Sequence, residues 1–83
     1  MSILDEVADG LAKRAIEEMS RTGNEAIEAR IAQEIGASSP TLQEAFLTAM
    51  RLRKAEARGH ELLDKFSAGD AVPVAAISSA PQD

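Results

Sequence analysis

Between residues 3 and 22, apolar side chains fall at Leu4, Val7, Ala8, Leu11, Ala15, Ile16 and Met19. That spacing of threes and fours puts one face of an α-helix against a core. Ser2 is placed to cap this helix, and Asp5 and Glu6 stand in its first turn, where negative charge suits the helix dipole. Gly10 is an interior defect, and Gly23 is the natural left-handed residue at the helix end. A second helix is predicted over 25–35, with Asn24 as its cap. Its ridge is Ile27, Ile31 and Ile35, with Ala32 alongside and Gly36 as its stop.

The third helix is predicted over 40–66. Ser39 caps it, and Pro40 takes the first helical position, where a missing N–H does no harm. Its stripe reads Leu42, Ala45, Phe46, Ala49, Leu52, Ala55, Gly59, Leu62, Leu63 and Phe66. At 1.5 Å per residue the helix is about 40 Å long. Either the first two helices pack along all of it, or its second half projects and pairs with another subunit. Gly59 is where a kink or a close crossing is expected. Beyond Ser67, Gly69, Pro73 and Pro81 exclude a continuing helix.

The expectation is therefore an all-α protein: a short helical hairpin (3–22, 25–35), a long third helix (40–66) and an extended C-terminal tail. Residues 1–66 make one small helical domain, and 67–83 an extended or flexible tail. Within that tail Ala71-Val-Pro-Val-Ala-Ala-Ile77 is mildly apolar. It reads as a disordered tail or as a strap that docks on a partner.

Composition bears on whether such a domain stands alone. The chain has 83 residues, two Phe, and no Trp, Tyr or Cys. Its apolar content is largely alanine, which buries little area, and no disulfide can staple the fold. Self-association or docking on a larger assembly is the expected remedy. The apolar candidates for such an interface are Leu52, Leu62, Leu63 and Phe66, with Val72, Val74 and Ile77 in the tail.

The net charge of −5 opposes general attraction to phosphate or to anionic membranes. Locally the balance reverses: Arg51, Arg53, Lys54 and Arg58 face one acid, Glu56, over positions 51–60. Arg51, Lys54, Arg58 and Lys65 share a helix face. They read as a contact for phosphate or an acidic partner, or as a solvated face with ion pairs such as Glu61–Lys65. No stretch approaches about 18 uninterrupted apolar residues, so no membrane span is expected. The opening Met-Ser-Ile-Leu-Asp-Glu has no basic region and no long apolar run, which makes a cytoplasmic location the expectation.

No catalytic set stands out. One His, no Cys, no Tyr and no Gly-rich phosphate loop leave neither an activated nucleophile nor a cofactor motif. No enzyme activity and no cofactor are expected. Glu56, His60 and Asp64 lie four apart on one face. They read as metal ligands only if a second element converges on them, and otherwise as an exposed polar stripe.

Residues 27–48 carry the one recognisable local motif. Ala32 holds a small position four before Gly36, and Ile31, Ile35, Ala37, Leu42 and Ala45 fill the corner, with Ser38 and Thr41 beside it. This segment resembles the helix-turn-helix motif, although any tight αα corner needs the same residue types. The resemblance implies that glycine takes a positive φ in the turn. It further implies that Ser39, Thr41, Gln43, Glu44 and Thr48 face a major groove. Gln43 is suited to read adenine, and Arg51, Lys54 and Arg58 to meet phosphates. In arrangement alone, the layout is similar to phage small terminase subunits, where such a motif precedes ring-forming helices. The reading that follows is a non-enzymatic interaction or assembly protein, an oligomeric or accessory subunit of a larger complex. The alternative is a helix-turn-helix DNA-binding protein, either a transcriptional regulator or a DNA-packaging small subunit.

Overall fold

The computed structural model describes residues 2–69; Val72, Val74, Ile77 and the rest of the predicted tail from residue 70 lie outside the described residues. Three α-helices follow one another: α1 (Ile3–Thr22), α2 (Ile27–Ser38) and α3 (Pro40–Ser67). No strand occurs among the described residues.

The ends of α1 follow from its sequence. Ser2 Oγ accepts from the Asp5 amide at 3.1 Å, satisfying an N–H that has no partner in the first turn. Gly23, at φ 72°, turns the chain out and donates to the Met19 carbonyl at 2.8 Å. Only glycine takes that conformation without steric cost.

The second helix differs from expectation at both ends, covering 27–38 rather than 25–35. At its start, Asn24 Oδ1 accepts from the Ala26 amide at 3.0 Å. That bond spans two residues, so it closes a turn ahead of the helix instead of capping it. At the other end Gly36 is not the stop. Its φ is not positive, and the ladder runs on until the Ser39 amide reaches the Ile35 carbonyl at 2.8 Å. The connection to α3 is a single extended residue, Ser39, at φ −148° and ψ 95°. Its hydroxyl accepts from the Leu42 amide at 3.1 Å and so caps α3.

The buried core is small: Ala8, Ala12 and Ala15 from α1, Ala32 from α2, and Phe46, Ala49 and Met50 from α3. Alanines on α1 let its backbone come close to α3, and Phe46 and Met50, both fully buried, fill the space between the helices. Half-buried Leu11, Ile16, Met19, Ile27, Ile31, Ile35, Leu42, Ala45 and Leu47 surround them. Four positions correct the sequence stripes. Val7 faces outward and Ala12 inward on α1, while Met50 joins the core of α3 and Leu52 does not.

Two long-range ion pairs fasten the hairpin to α3. Arg53 grips Asp9 of α1 with two bonds, Nε–Oδ1 at 2.8 Å and Nη2–Oδ2 at 2.6 Å. Lys54 Nζ meets Glu28 Oε1 of α2 at 2.5 Å. Both lie at the middle of α3. Every described residue after Lys54 is exposed, so the second half of the helix projects past the hairpin.

Candidate interaction face

The single apolar stripe expected on α3 divides into two. Each residue of an α-helix advances about 100° around the axis, so Phe46 and Phe66, twenty residues apart, lie about 160° from each other. Phe46 is fully buried under α1 and α2, whereas Phe66 is 46% exposed. Past Lys54, the face that continues the core carries Ala57, His60, Glu61 and Asp64. Ala57 still borders a groove with Ile16, Met19 and Glu25, but the polar His60, Glu61 and Asp64 beyond it offer the hairpin no apolar surface to pack on.

On the far side run Leu52, Ala55, Gly59, Leu62 and Phe66, with Leu63 adjoining. Their intervals of three and four make one seam along the helix. Leu52 is 68% and Leu63 61% exposed, and Leu62 is nearly as open as Phe66. A run of large apolar side chains in water marks a contact surface more often than a scattering of single ones does. The four α3 residues expected at an interface thus share one uncovered region.

The two edges of this seam carry opposite charge. On one edge stand Arg51, Arg58 and Lys65, each seven residues from the next. None has an ion-pair partner among the described residues, and Glu61 and Lys65 do not pair. On the other edge Glu56 borders a groove between α1 and α3, whose α1 wall holds Asp5, Ala8 and Asp9. Arg53 lies in the same groove, bonded to Asp9 and, at 3.2 Å, to Glu56. Hydrogen bonds from Arg53 hold the Asp9 carboxyl below its ordinary value against a partial desolvation, with added help from the nearby charges of Arg53 and Lys13. The same bonds raise the Arg53 guanidinium.

The residues expected to touch DNA are not brought together as a set. Ser39 is engaged in the cap of α3. Gln43 turns back to α2, where its Nε2 donates to the Ala32 carbonyl at 2.9 Å. Lys54 is paired with Glu28. Thr41, Arg51 and Arg58 remain exposed, with Glu44 and Thr48 between them on the same outward side. Glu56 and His60 approach at 3.4 Å, but no group of three or more His, Cys, Asp or Glu among the described residues is arranged to hold a metal ion.

The ties Asp9–Arg53, Glu28–Lys54 and Gln43–Ala32 do not follow from the apolar pattern. The signal for the first is Asp9 itself, an acid adjoining the inward Ala8 of α1. No helix among the described residues is long and apolar enough to cross a membrane. Comparison with family models, with curated proteins and with solved structures finds no match to this chain.

Proposed function

We propose that this chain is a non-enzymatic interaction protein, an oligomeric or accessory subunit of a larger assembly, that docks through the outer face of α3. The observation that carries this reading is the apolar seam from Leu52 to Phe66, which α1 and α2 leave uncovered. A domain with so few large core side chains gains stability from any partner that covers such a seam. Val72, Val74 and Ile77 remain apolar interface candidates from the sequence. Composition supports the non-enzymatic part, since one His and no Cys or Tyr leave little with which to build a nucleophile and its base.

The experiment is site-specific photo-crosslinking in the source cell, with the reactive group placed at Leu63 or, as a control, at Asp64 on the polar side. An adduct from position 63 and none from position 64 is expected. Absence of any adduct from position 63 sinks the proposal.

Duplex DNA binding is the second reading. What favours it is the corner leading into α3 together with the exposed Thr41, Arg51 and Arg58. It ranks below the first because Gln43 and Lys54 are engaged within the chain.

A further inference from the structure

The two edges of the α3 seam are complementary to each other, and this identifies what covers it. Leu52, Gly59 and Phe66 repeat every seven residues, and Ala55 and Leu62 fall between them. In heptad terms the first set are a positions and the second d positions. Arg51, Arg58 and Lys65 then occupy g, and Glu56 and Leu63 occupy e. We infer that the seam is covered by the same seam of a second copy of this chain, with the two α3 helices parallel and in register. This rests on the docking reading above and names its partner.

Charge decides the orientation. In a parallel pair, the g residue of one helix faces the e residue five positions later on its partner. Arg51 of each copy then meets Glu56 of the other. It arrives at a groove rim where Asp5, Asp9 and Glu56 outnumber Arg53, so the approaching cation finds net negative charge. Arg58 lays its apolar stem over Leu63. In an antiparallel pair, g faces g, and Arg58 would meet Lys65, like charge against like. Only the parallel arrangement thus brings an acid to a cation that lacks one among the described residues.

Shape agrees with charge. The hairpin packs on the Phe46 and Met50 side of α3, roughly opposite the seam. Two copies joined seam to seam therefore carry their hairpins on the outside, without collision. At Gly59 an added Cβ would meet nothing within 4 Å, so packing within the chain does not demand glycine at this helix-interior position. With Ala55 one turn before it, Gly59 lets two helix backbones approach, while Leu52, Leu62 and Phe66 fill the space on either side. A two-fold contact of this kind closes on itself and gives a dimer.

The chain contains no cysteine, so a single introduced thiol reports on geometry without interference. Ala55→Cys places one thiol at the seam of each copy. In the parallel pair the two Cα atoms come within the span of about 4–7 Å that a disulfide needs. Asp64→Cys, on the polar side, is the control. Light scattering on the full chain is expected to give twice the 8.8 kDa of one chain. Mild oxidation is expected to convert most of the Ala55→Cys protein, and little of the Asp64→Cys protein, to a covalent dimer. A dimer whose Ala55→Cys variant stays reduced overturns the parallel register. A monomer at about 100 µM, far above an ordinary micromolar dissociation constant, overturns the second copy as the occupant. Photo-adducts from Leu63 separate that failure from failure of the docking reading. An adduct of twice the chain mass supports the inference. An adduct of any other mass overturns it and leaves docking in place, and no adduct overturns both.

Discussion

The side-chain amide of Gln43 lies directly over Gly36. Its Nε2 reaches past the glycine to the Ala32 carbonyl at 2.9 Å, and a Cβ on Gly36 would stand 2.6 Å from Gln43 Cδ. The absence of a side chain at position 36 thus opens the path for a bond between α2 and α3. In place of a chain-reversing glycine, the corner has a helical glycine that admits a neighbour's amide.

A coupled effect is expected from that arrangement. Gly36→Ala forces the flexible Gln43 side chain away, which removes a hydrogen bond worth about 1 kcal/mol. It also gains up to about 1 kcal/mol of helix propensity. The single substitution should therefore fall within about 0.5 kcal/mol of neutral. Gln43→Ala alone should destabilise by about 1 kcal/mol. In the Gly36→Ala background it should cost almost nothing. Urea unfolding of the four proteins gives the coupling energy, and additive effects would show that the two residues act independently.

This corner shows where the sequence is legible and where it is not. Caps are local, so Ser2, Gly23, Ser39 and Pro40 can be read directly, and α1 has the bounds they predict. Gly36 misleads because glycine serves both for positive φ and for close approach, and only the position of Gln43 separates the two uses. On α3 the apolar spacing is right, but a list of apolar positions does not show rotation. Phe46 and Phe66 both fit the stripe and still face opposite ways, because a repeat of 3.5 drifts around a helix of 3.6 residues per turn. The exposed seam is therefore visible as residues and invisible as a separate face. Asp9–Arg53, whose ends are 44 positions apart in the chain, needs the fold to be seen.

Acid should loosen the hairpin. Arg53 holds Asp9, and Arg21 holds Glu18, below their ordinary values of 3.8 and 4.5, chiefly by hydrogen bonds to the carboxylates. A carboxyl depressed in the folded state contributes stability that is complete above its unfolded value and is lost as pH falls through its folded one. The melting midpoint should accordingly fall from about pH 5 to about pH 3. Asp9→Asn should lower the midpoint at neutral pH and flatten part of that fall. Glu18→Gln, which removes only a pair within α1, should do less, and less still at high salt. Melting curves with an undiminished acid transition in Asp9→Asn would show that this pair does not set it.

The two phenylalanines should respond in opposite ways to truncation. Phe46→Ala removes the largest fully buried side chain and should cost about 3–5 kcal/mol. That matches the whole stability expected of a core this small, so circular dichroism should report a largely unfolded chain. Phe66→Ala and Leu62→Ala remove side chains exposed in the isolated chain. At concentrations too low for association they should leave helicity and midpoint within experimental error of the parent. At high concentration they should reduce the associated fraction seen by light scattering. Equal loss of helicity from Phe46→Ala and Phe66→Ala would mean that the distal seam is part of the chain's own core.

Binding to duplex DNA should be absent at about 150 mM salt. The net charge of −5 repels phosphate overall, and of the cations on α3 that would offset it, Arg53 and Lys54 are held by Asp9 and Glu28. Gln43, the side chain suited to an adenine edge, is engaged with Ala32, and Glu44 stands on the outward side where phosphates would approach. Fluorescence anisotropy with labelled random and genomic duplexes should therefore stay flat up to tens of micromolar chain. If a defined sequence does bind, the structure dictates how the affinity responds. Arg51→Ala and Arg58→Ala should each flatten the salt dependence by about one unit, the share of a single neutralised phosphate. Gln43→Ala should leave base preference unchanged. A sequence-specific complex whose base preference did relax with Gln43→Ala would require Gln43 to leave the Ala32 carbonyl on binding, and would put the helix-turn-helix reading first.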